Sequence, residues 1–285
     1  MDFLRWAMGN YPAEHYALVM WDHGDGIFSS GGSSRPFTRG FNDDWTDGNR
    51  QMQLWELSAV LAAATDEFSG ADMLDLVAFD QCFMGHWETA YELAPYARYM
   101  VASADEEPDV GWDYSPVIEA LADDPDMTAS ALARLISESY VDAFAASLSY
   151  VTQAAVDLEP FRGGRMVRAL EGLSRELMEV SYDERSALKE LRSGLHEYSS
   201  SNVDPYDLAS RLAAMDLPDT LVDAAAEYLA AHQAAVLHYG HGSQHPDSHG
   251  LAIYFPATSV RSDYDDMLRA SGLAWVDFLH HFISP

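Results

Sequence analysis

The stretch Leu74-Asp75-Leu76-Val77-Ala78-Phe79, followed at once by Asp80-Gln81-Cys82, is a mostly apolar run that ends in polar residues. A second run, Tyr16-Ala17-Leu18-Val19-Met20-Trp21, ends in Asp22-His23-Gly24. Runs of about six apolar residues with polar ends are typical of fully buried strands in a parallel sheet. We therefore predict two buried strands, with Cys82 and His23 each just past the end of one.

The rest of the chain alternates between strand and helix patterns. Further strands are predicted at Tyr99–Ser103, at Thr152–Asp157 and, late in the chain, over residues 250–256. Helices are predicted over residues 51–65, 128–147 (with Thr128 as N-cap), 165–180, 182–198, 205–215 and 221–236. This alternation predicts an α/β fold with a mostly parallel sheet, helices on both faces and an additional helical region in the C-terminal half. We predict one domain over residues 1–285, with an α/β part at 1–115 and a helix-rich part at 116–285.

The composition narrows the classes of partner. The 285 residues carry a formal net charge of −30, and Lys189 is the only lysine. Phosphates would be repelled, so nucleic acid is not an expected partner. No apolar run reaches the roughly 18 residues that a membrane span needs. The sequence does not determine the cellular location. Secretion or the cell envelope is expected if a signal segment precedes this chain, and the cytoplasm otherwise.

Cys82 and His23 are a candidate nucleophilic pair. The carboxyl ends of neighbouring parallel strands meet at one edge of a sheet, which would bring the thiol and the imidazole together. A thiol attacks carbonyl groups as the thiolate, and a nearby histidine can take its proton. The backbone amides of Gly24 and Cys82 would form an oxyanion hole. The alternative is that Cys82 is a small buried apolar residue and that His23 has a structural role.

Five sequence blocks resemble a known family, the clostripain-type cysteine peptidases, whose fold is that of the caspases and hemoglobinases. The blocks occur in family order along nearly the whole chain: Leu18–Gly24, Leu76–Met84, Glu88–Leu93, Val101–Ser103 with the acidic loop that leads to Gly111-Trp112, and Gly250–Pro256. The caspase signature itself, Gln then one residue then Cys, is not met, because Gln81 directly precedes Cys82.

The resemblance implies a cysteine endopeptidase that acts through an acyl-thioester intermediate. Cys82 would be the nucleophile, His23 its base, and Asp80 the carboxylate that selects arginine or lysine before the cleaved bond. Strand parity agrees, because positions 80 and 82 point the same way. Asp105 and Glu106, followed by Glu107, would add an acidic rim. The alternatives are that Asp80 caps a loop and that the acidic residues lie in solvent.

Two further expectations come from the same resemblance. Relatives usually have one more strand and helix ahead of the histidine strand, so either an upstream piece lies outside this sequence or the sheet is smaller than in relatives; in both cases the given chain would expose an edge strand. Relatives also mature by cleavage after a basic residue between the histidine and the cysteine. Here that loop offers Arg35 and Arg39 as the autocleavage candidates.

Other sites and functions compete with this interpretation. No cofactor is expected to be required, and no metal site is predicted. The late histidines would suit zinc but lack fixed spacing, and the run from His238 to His249 is expected to be a flexible loop. Calcium is the alternative cofactor, since oxygen ligands cluster at Asn42, Asp43, Asp44, Asp47 and Asn49, although the EF-hand pattern is absent. The expected partner is a peptide or protein with basic residues, and the rival function is an inactive caspase-like binding or scaffold module.

Overall fold

The computed structural model describes residues 2–27, 41–44, 46, 50–67, 73–199, 201–262, 264 and 269–284. The strands are β1 (Ala17–Trp21), β2 (Phe41–Asp44), β3 (Arg50–Met52), β4 (Leu74–Asp80), β5 (Ala97–Ala102), β6 (Thr152–Asp157), β7 (Glu197–Ser199), β8 (Asn202–Val203), β9 (Val236–His241) and β10 (Ile253–Tyr254). The α-helices are α1 (Asp2–Asn10), α2 (Leu54–Glu67), α3 (Trp87–Leu93), α4 (Ser115–Asp123), α5 (Ala129–Phe144), α6 (Glu159–Arg162), α7 (Arg165–Met178), α8 (Tyr182–Ser193), α9 (Pro205–Ala214), α10 (Asp219–Ala235) and α11 (Ala274–Ile283).

A five-stranded sheet with the order β1-β4-β5-β6-β9 forms the centre of the fold. β1, β4 and β5 pair in parallel, whereas β6 runs antiparallel to both β5 and β9. Four of the five strands therefore point in one direction. This confirms the prediction of a mostly parallel sheet.

Helices cover both faces of this sheet. Successive side chains of a strand point to opposite faces, so β4 contributes Val77 and Phe79 to one apolar core and Leu76 and Ala78 to another. The first core is closed by apolar residues of α7, α10 and α11, and the second by those of α4 and α5. The strong apolar content of β4 follows from this burial on both sides.

Several predicted boundaries agree with the structure. β6 matches its predicted range, and α5 begins after Thr128, whose hydroxyl accepts a hydrogen bond from the backbone amide of Ala131 (3.3 Å).

The helix predicted over 182–198 ends earlier, at Ser193. Gly194 follows, and Glu197–Ser199 turns back to form a small antiparallel sheet with β8 and β10.

Two parts of the C-terminal half differ from expectation. The late strand predicted over 250–256 is reduced to Ile253–Tyr254, and it pairs with β8 in the small sheet rather than in the central one. The histidine-rich run expected as a flexible loop instead begins within β9, which ends at His241 and pairs with β6. The hydrophobicity pattern does not predict this strand, because its residues are only partly buried and do not form a continuous apolar run.

Among the described strands, β1 lies at one edge of the central sheet. Its burial alternates between exposed and half-buried, and Trp21 at its end is 63% exposed. No helix in the described part of the chain is long and apolar enough to cross a bilayer.

Candidate active site

A cavity of about 310 Å³ opens at the carboxyl ends of β1 and β4. These strands are paired in register, with Trp21 opposite Asp80, so the residues that follow them enter the same space. The cavity is lined by Trp21, Asp22, His23, Asp80, Gln81, Cys82, Glu107, Pro108, Asp109 and Gly111. The structure thus brings together His23, Cys82 and Asp80, three of the residues that the sequence predicted for the site.

Gln81 ties the two strand ends together. Its side-chain amide donates hydrogen bonds to the carbonyl oxygen of His23 (3.2 Å) and to Oδ1 of Asn42 (2.9 Å). The backbone amide of Asn42 donates a second hydrogen bond to the same carbonyl of His23 (3.0 Å). The backbone that carries the imidazole is therefore held by the residue next to the cysteine, a role that the sequence did not reveal.

Gly24 allows the backbones of the two strand ends to approach closely. A Cβ atom at this position would lie 2.3 Å from the carbonyl oxygen of Cys82 and 3.2 Å from its amide nitrogen. Such contacts are far inside van der Waals distance, so a larger residue would force the two loops apart. The two amides predicted for the oxyanion hole, those of Gly24 and Cys82, belong to segments in direct contact.

The thiol of Cys82 is half-buried and contacts the backbone of Glu107. Its sulfur accepts a hydrogen bond from the Glu107 amide (3.3 Å) and lies 3.7 Å from the Glu107 carbonyl oxygen, to which the thiol donates. Burial, with a smaller contribution from the negative charges of Glu107 and Glu106, raises the pKa of Cys82 to about 11, against the opposing effect of the amide hydrogen bond. The free protein therefore holds the thiol in its protonated form at neutral pH.

The residue after the cysteine has an unusual backbone. Phe83 adopts a left-handed conformation with φ 60°, which is uncommon for a residue that is not glycine. Its amide donates a hydrogen bond to the carbonyl oxygen of Asp105 (3.0 Å), and the amide of Gly85 donates one to the carbonyl of Ser103 (2.6 Å). These bonds fix the cysteine turn against the end of β5.

Asp80 is buried at the cavity wall and also organises the loop after β5. Its Oδ2 atom accepts hydrogen bonds from the amide of Trp112 (3.1 Å) and from the hydroxyl of Tyr114 (2.6 Å). The carboxylate therefore accepts hydrogen bonds from the loop and also lines the cavity. This geometry agrees with both roles considered from the sequence, a loop cap and a substrate-binding carboxylate.

Glu107 places a second buried carboxyl group beside Asp80. Its oxygens accept hydrogen bonds from the indole of Trp112 (2.8 Å) and from the side-chain amide of Gln153 (3.1 Å). Burial, followed by the negative charge of Asp80, raises the pKa of Glu107 well above its ordinary value. A cation bound in this cavity would relieve the repulsion between the two carboxyl groups.

Comparison with known proteins gives the same picture as the site. The family model described as the clostripain family matches residues 1–260. This chain belongs to the clostripain family. A segment of 124 residues is 27% identical to clostripain from Hathewaya histolytica. The aligned segment covers 42% of this chain but only 23% of that protein.

Solved structures of C11 cysteine proteases share the fold. The structure of a secreted C11 cysteine protease from Bacteroides thetaiotaomicron, in complex with an irreversible peptide inhibitor, superimposes with a TM-score of 0.69 at 20% identity, over 97% of this chain and 76% of that one. An inactive zymogen C11 protease from Parabacteroides distasonis gives a TM-score of 0.63 at 17% identity, over 98% and 74% of the two chains. The predicted clostripain resemblance and caspase-like α/β fold are confirmed.

The acidic rim of this clostripain-family chain differs from the predicted one. Asp105 does not line the cavity: it is buried, and its Oδ2 atom lies 3.0 Å from Nε2 of His245. Glu106 is exposed and also lies outside the cavity lining, although its charge raises the pKa of Cys82. Of the three consecutive acidic residues, the buried Glu107 is the one that lines the cavity and lies next to Asp80.

The remaining predicted sites are only partly covered by the structure. Arg35 and Arg39 lie outside the described residues, as do Asp47 and Asn49 of the calcium hypothesis. Asn42 bonds to Gln81 and to the carbonyl of Trp21, and Asp44 bonds to Thr46. Within the described ranges, no group of three or more histidine, cysteine or acidic side chains could hold a metal ion. The late histidines instead bond to protein groups, such as His238 to Ser137 and His245 to His196.

Proposed function

We propose that this protein is a cysteine endopeptidase that cleaves after arginine or lysine, with Cys82 as nucleophile and His23 as its proton acceptor. One observation carries the proposal: a single cavity is lined by the only cysteine of the chain, by His23 and by the buried carboxylate of Asp80. Family membership and the C11 proteases of the same fold support the same chemistry.

The proposed reaction begins with proton transfer from the thiol of Cys82 to the imidazole of His23. The thiolate attacks the peptide carbonyl carbon, and the amides of Gly24 and Cys82 stabilise the oxyanion. When the intermediate collapses, the carbon–nitrogen bond breaks and His23 returns the proton to the leaving amine. Water then attacks the acyl-thioester, the carbon–sulfur bond breaks, and Cys82 is regenerated as the thiol.

The carboxyl groups of Asp80 and Glu107 supply the proposed selectivity for a basic side chain. A desolvated guanidinium or ammonium group needs an opposite charge at a fixed position, and Asp80 is held in place by Trp112 and Tyr114. A substrate cation would also offset the negative charge that raises the pKa of Cys82. Binding of the correct substrate would therefore favour formation of the thiolate.

Maturation by cleavage after Arg35 or Arg39 is part of the proposal. Both arginines lie between His23 and Cys82 in sequence, and a C11 relative of the same fold is an inactive zymogen. Mass spectrometry of the purified protein over time would locate the cut, and an intact chain with full activity would exclude obligatory processing. Activity assays with and without a chelator test the calcium hypothesis in the same sample.

The deciding experiment compares the wild type with Cys82→Ala on matched fluorogenic peptides that end in arginine, lysine, glutamine or leucine. We expect the wild type to cleave the two basic peptides and Cys82→Ala to cleave none. An arginine chloromethyl ketone should alkylate Cys82, the only thiol in the chain, because the sulfur displaces chloride and forms a thioether; the protein should gain the mass of the inhibitor minus HCl. Cleavage that survives in Cys82→Ala would refute the proposal, and chelator sensitivity of that activity would indicate a metal-dependent hydrolase. Peptide binding without any cleavage would favour the inactive binding module.

A second variant tests the specificity. Asp80→Asn removes the charge but keeps an oxygen that can accept hydrogen bonds from the loop. A hydrogen bond to a charged group contributes about 1.5–3 kcal/mol, so kcat/KM for basic peptides should fall by roughly 10- to 100-fold. Equal losses on basic and neutral peptides would show that Asp80 supports the loop and does not select the substrate.

A further inference from the structure

Trp21 borders the active-site cavity with most of its indole in solvent. The side chain is 63% exposed, although large aromatic side chains usually gain free energy by burial. Trp21 is the register partner of Asp80 across the parallel pair of β1 and β4. Register partners on adjacent strands point to the same face of a sheet, so the indole and the carboxylate stand side by side at the cavity wall.

Gly111 lies close to both of these side chains, where a larger residue would not fit without displacing them. A Cβ atom at this position would lie 3.0 Å from the indole nitrogen of Trp21 and 3.1 Å from Oδ2 of Asp80. The glycine also has a φ of +68°, and its amide closes a turn by bonding to the carbonyl of Pro108 (2.9 Å). The indole and the carboxylate therefore both lie against Gly111 at the wall of one cavity.

We infer that Trp21 is a specificity-determining residue, whose indole packs against the basic side chain bound by Asp80 and favours arginine over lysine. The inference deepens the proposed function and rests on it. Tryptophan is the best aromatic partner for a cation within about 6 Å of its ring. A guanidinium is planar and weakly hydrated, so it can stack on the indole and still present its edge to a carboxylate, whereas an ammonium is a compact and strongly hydrated charge.

The test uses Trp21→Leu, with Trp55→Leu as matched control. Trp55 is also exposed (53%), but it lies on α2 and does not line the cavity. We expect Trp21→Leu to lower kcat/KM for an arginine peptide about tenfold, and that for the matched lysine peptide clearly less. Trp21→Phe should keep part of the arginine preference, and Trp55→Leu should match the wild type on both peptides.

The outcomes separate this inference from the proposed function. If the wild type cleaves basic peptides and Trp21→Leu leaves the ratio of arginine to lysine cleavage unchanged, the inference is wrong while the proposed function stands. If the wild type cleaves neither basic peptide, both fail. Thermal unfolding of each variant verifies that the fold is intact. A citrulline peptide, which is planar but uncharged, should be a poor substrate of the wild type, and Trp21→Leu should change its cleavage little.

Discussion

Replacement of Glu88 by glutamine should stabilise the protein at neutral and alkaline pH. Glu88 is buried in the first turn of α3, where its Oε1 atom accepts hydrogen bonds from the amide of Tyr254 (3.0 Å) and the hydroxyl of Tyr264 (2.9 Å). Oε2 is buried without a hydrogen-bond partner among the described residues. Burial raises the pKa of Glu88 from its ordinary value of 4.5 to about 7.

The nearby histidine does not offset a charge at this position. Nδ1 of His86 lies 3.8 Å from Oε2 of Glu88, but burial lowers the pKa of His86 to about 3, so the ring is neutral. Between the two pKa values of Glu88, the native protein binds a proton that the unfolded chain has released. The free energy of unfolding therefore falls as pH rises through this window, by about 1.4 kcal/mol per pH unit.

The full effect of this ionisation is roughly 3 kcal/mol above pH 7, because the pKa rises from 4.5 to about 7. Glutamine cannot ionise, and its oxygen can still accept hydrogen bonds from Tyr254 and Tyr264. Glu88→Gln should thus match the wild type near pH 4.5 and exceed its free energy of unfolding by roughly 2–3 kcal/mol at about pH 8.

Denaturant unfolding of both proteins at several pH values measures this difference. Subtracting the two curves removes the contributions of all other titrating groups, provided that they are independent of position 88. Glu190→Gln makes the same chemical change at an exposed position and should leave the pH dependence as in the wild type. A constant difference between Glu88→Gln and wild type across this pH range would show that Glu88 does not carry a raised pKa.

Two other properties of the protein can be checked directly. Alkylation of Cys82 by iodoacetamide should accelerate with pH up to about 11. Glu107→Gln should move this profile to lower pH, because it removes a nearby negative charge. If the rate of the wild type reaches its plateau near the ordinary thiol pKa of about 8.5, the thiol is not buried and protonated as described. The melting temperature should rise with sodium chloride, because salt screens the repulsion within a chain of net charge −30; a melting temperature that is independent of salt would show that this repulsion does not limit stability.

The central strands could be predicted from sequence to different degrees. β4 and β6 are buried along nearly their whole length, and the apolar composition of β4 is enough to identify it as a buried strand. β9 follows α10 without a break, contains two histidines and a glycine, and is only partly buried. Its place in the sheet depends on pairing with β6, which is distant in sequence, and no local pattern records that pairing.

The site shows the same distinction between local and distant causes. Strand ends and side-chain parity were sufficient to place Asp80 and Cys82 at one cavity. The sequence could not tell which of three consecutive acidic residues would join them. That outcome depends on residues that are distant in sequence. The side-chain amide of Gln153 in β6 donates a hydrogen bond to Glu107 at the cavity, whereas Asp105 contacts His245.

The segment from Glu107 to Tyr114 contacts both the thiol of Cys82 and the carboxylate of Asp80. Its first residue bonds to the sulfur through the backbone, and its last bonds to Asp80 through a hydroxyl. If the chain has the proposed peptidase activity, redesign of its cleavage preference should therefore alter the reactivity of the sulfur at the same time. Directed evolution would do better to vary the whole segment jointly and select for turnover than to exchange pocket residues one by one.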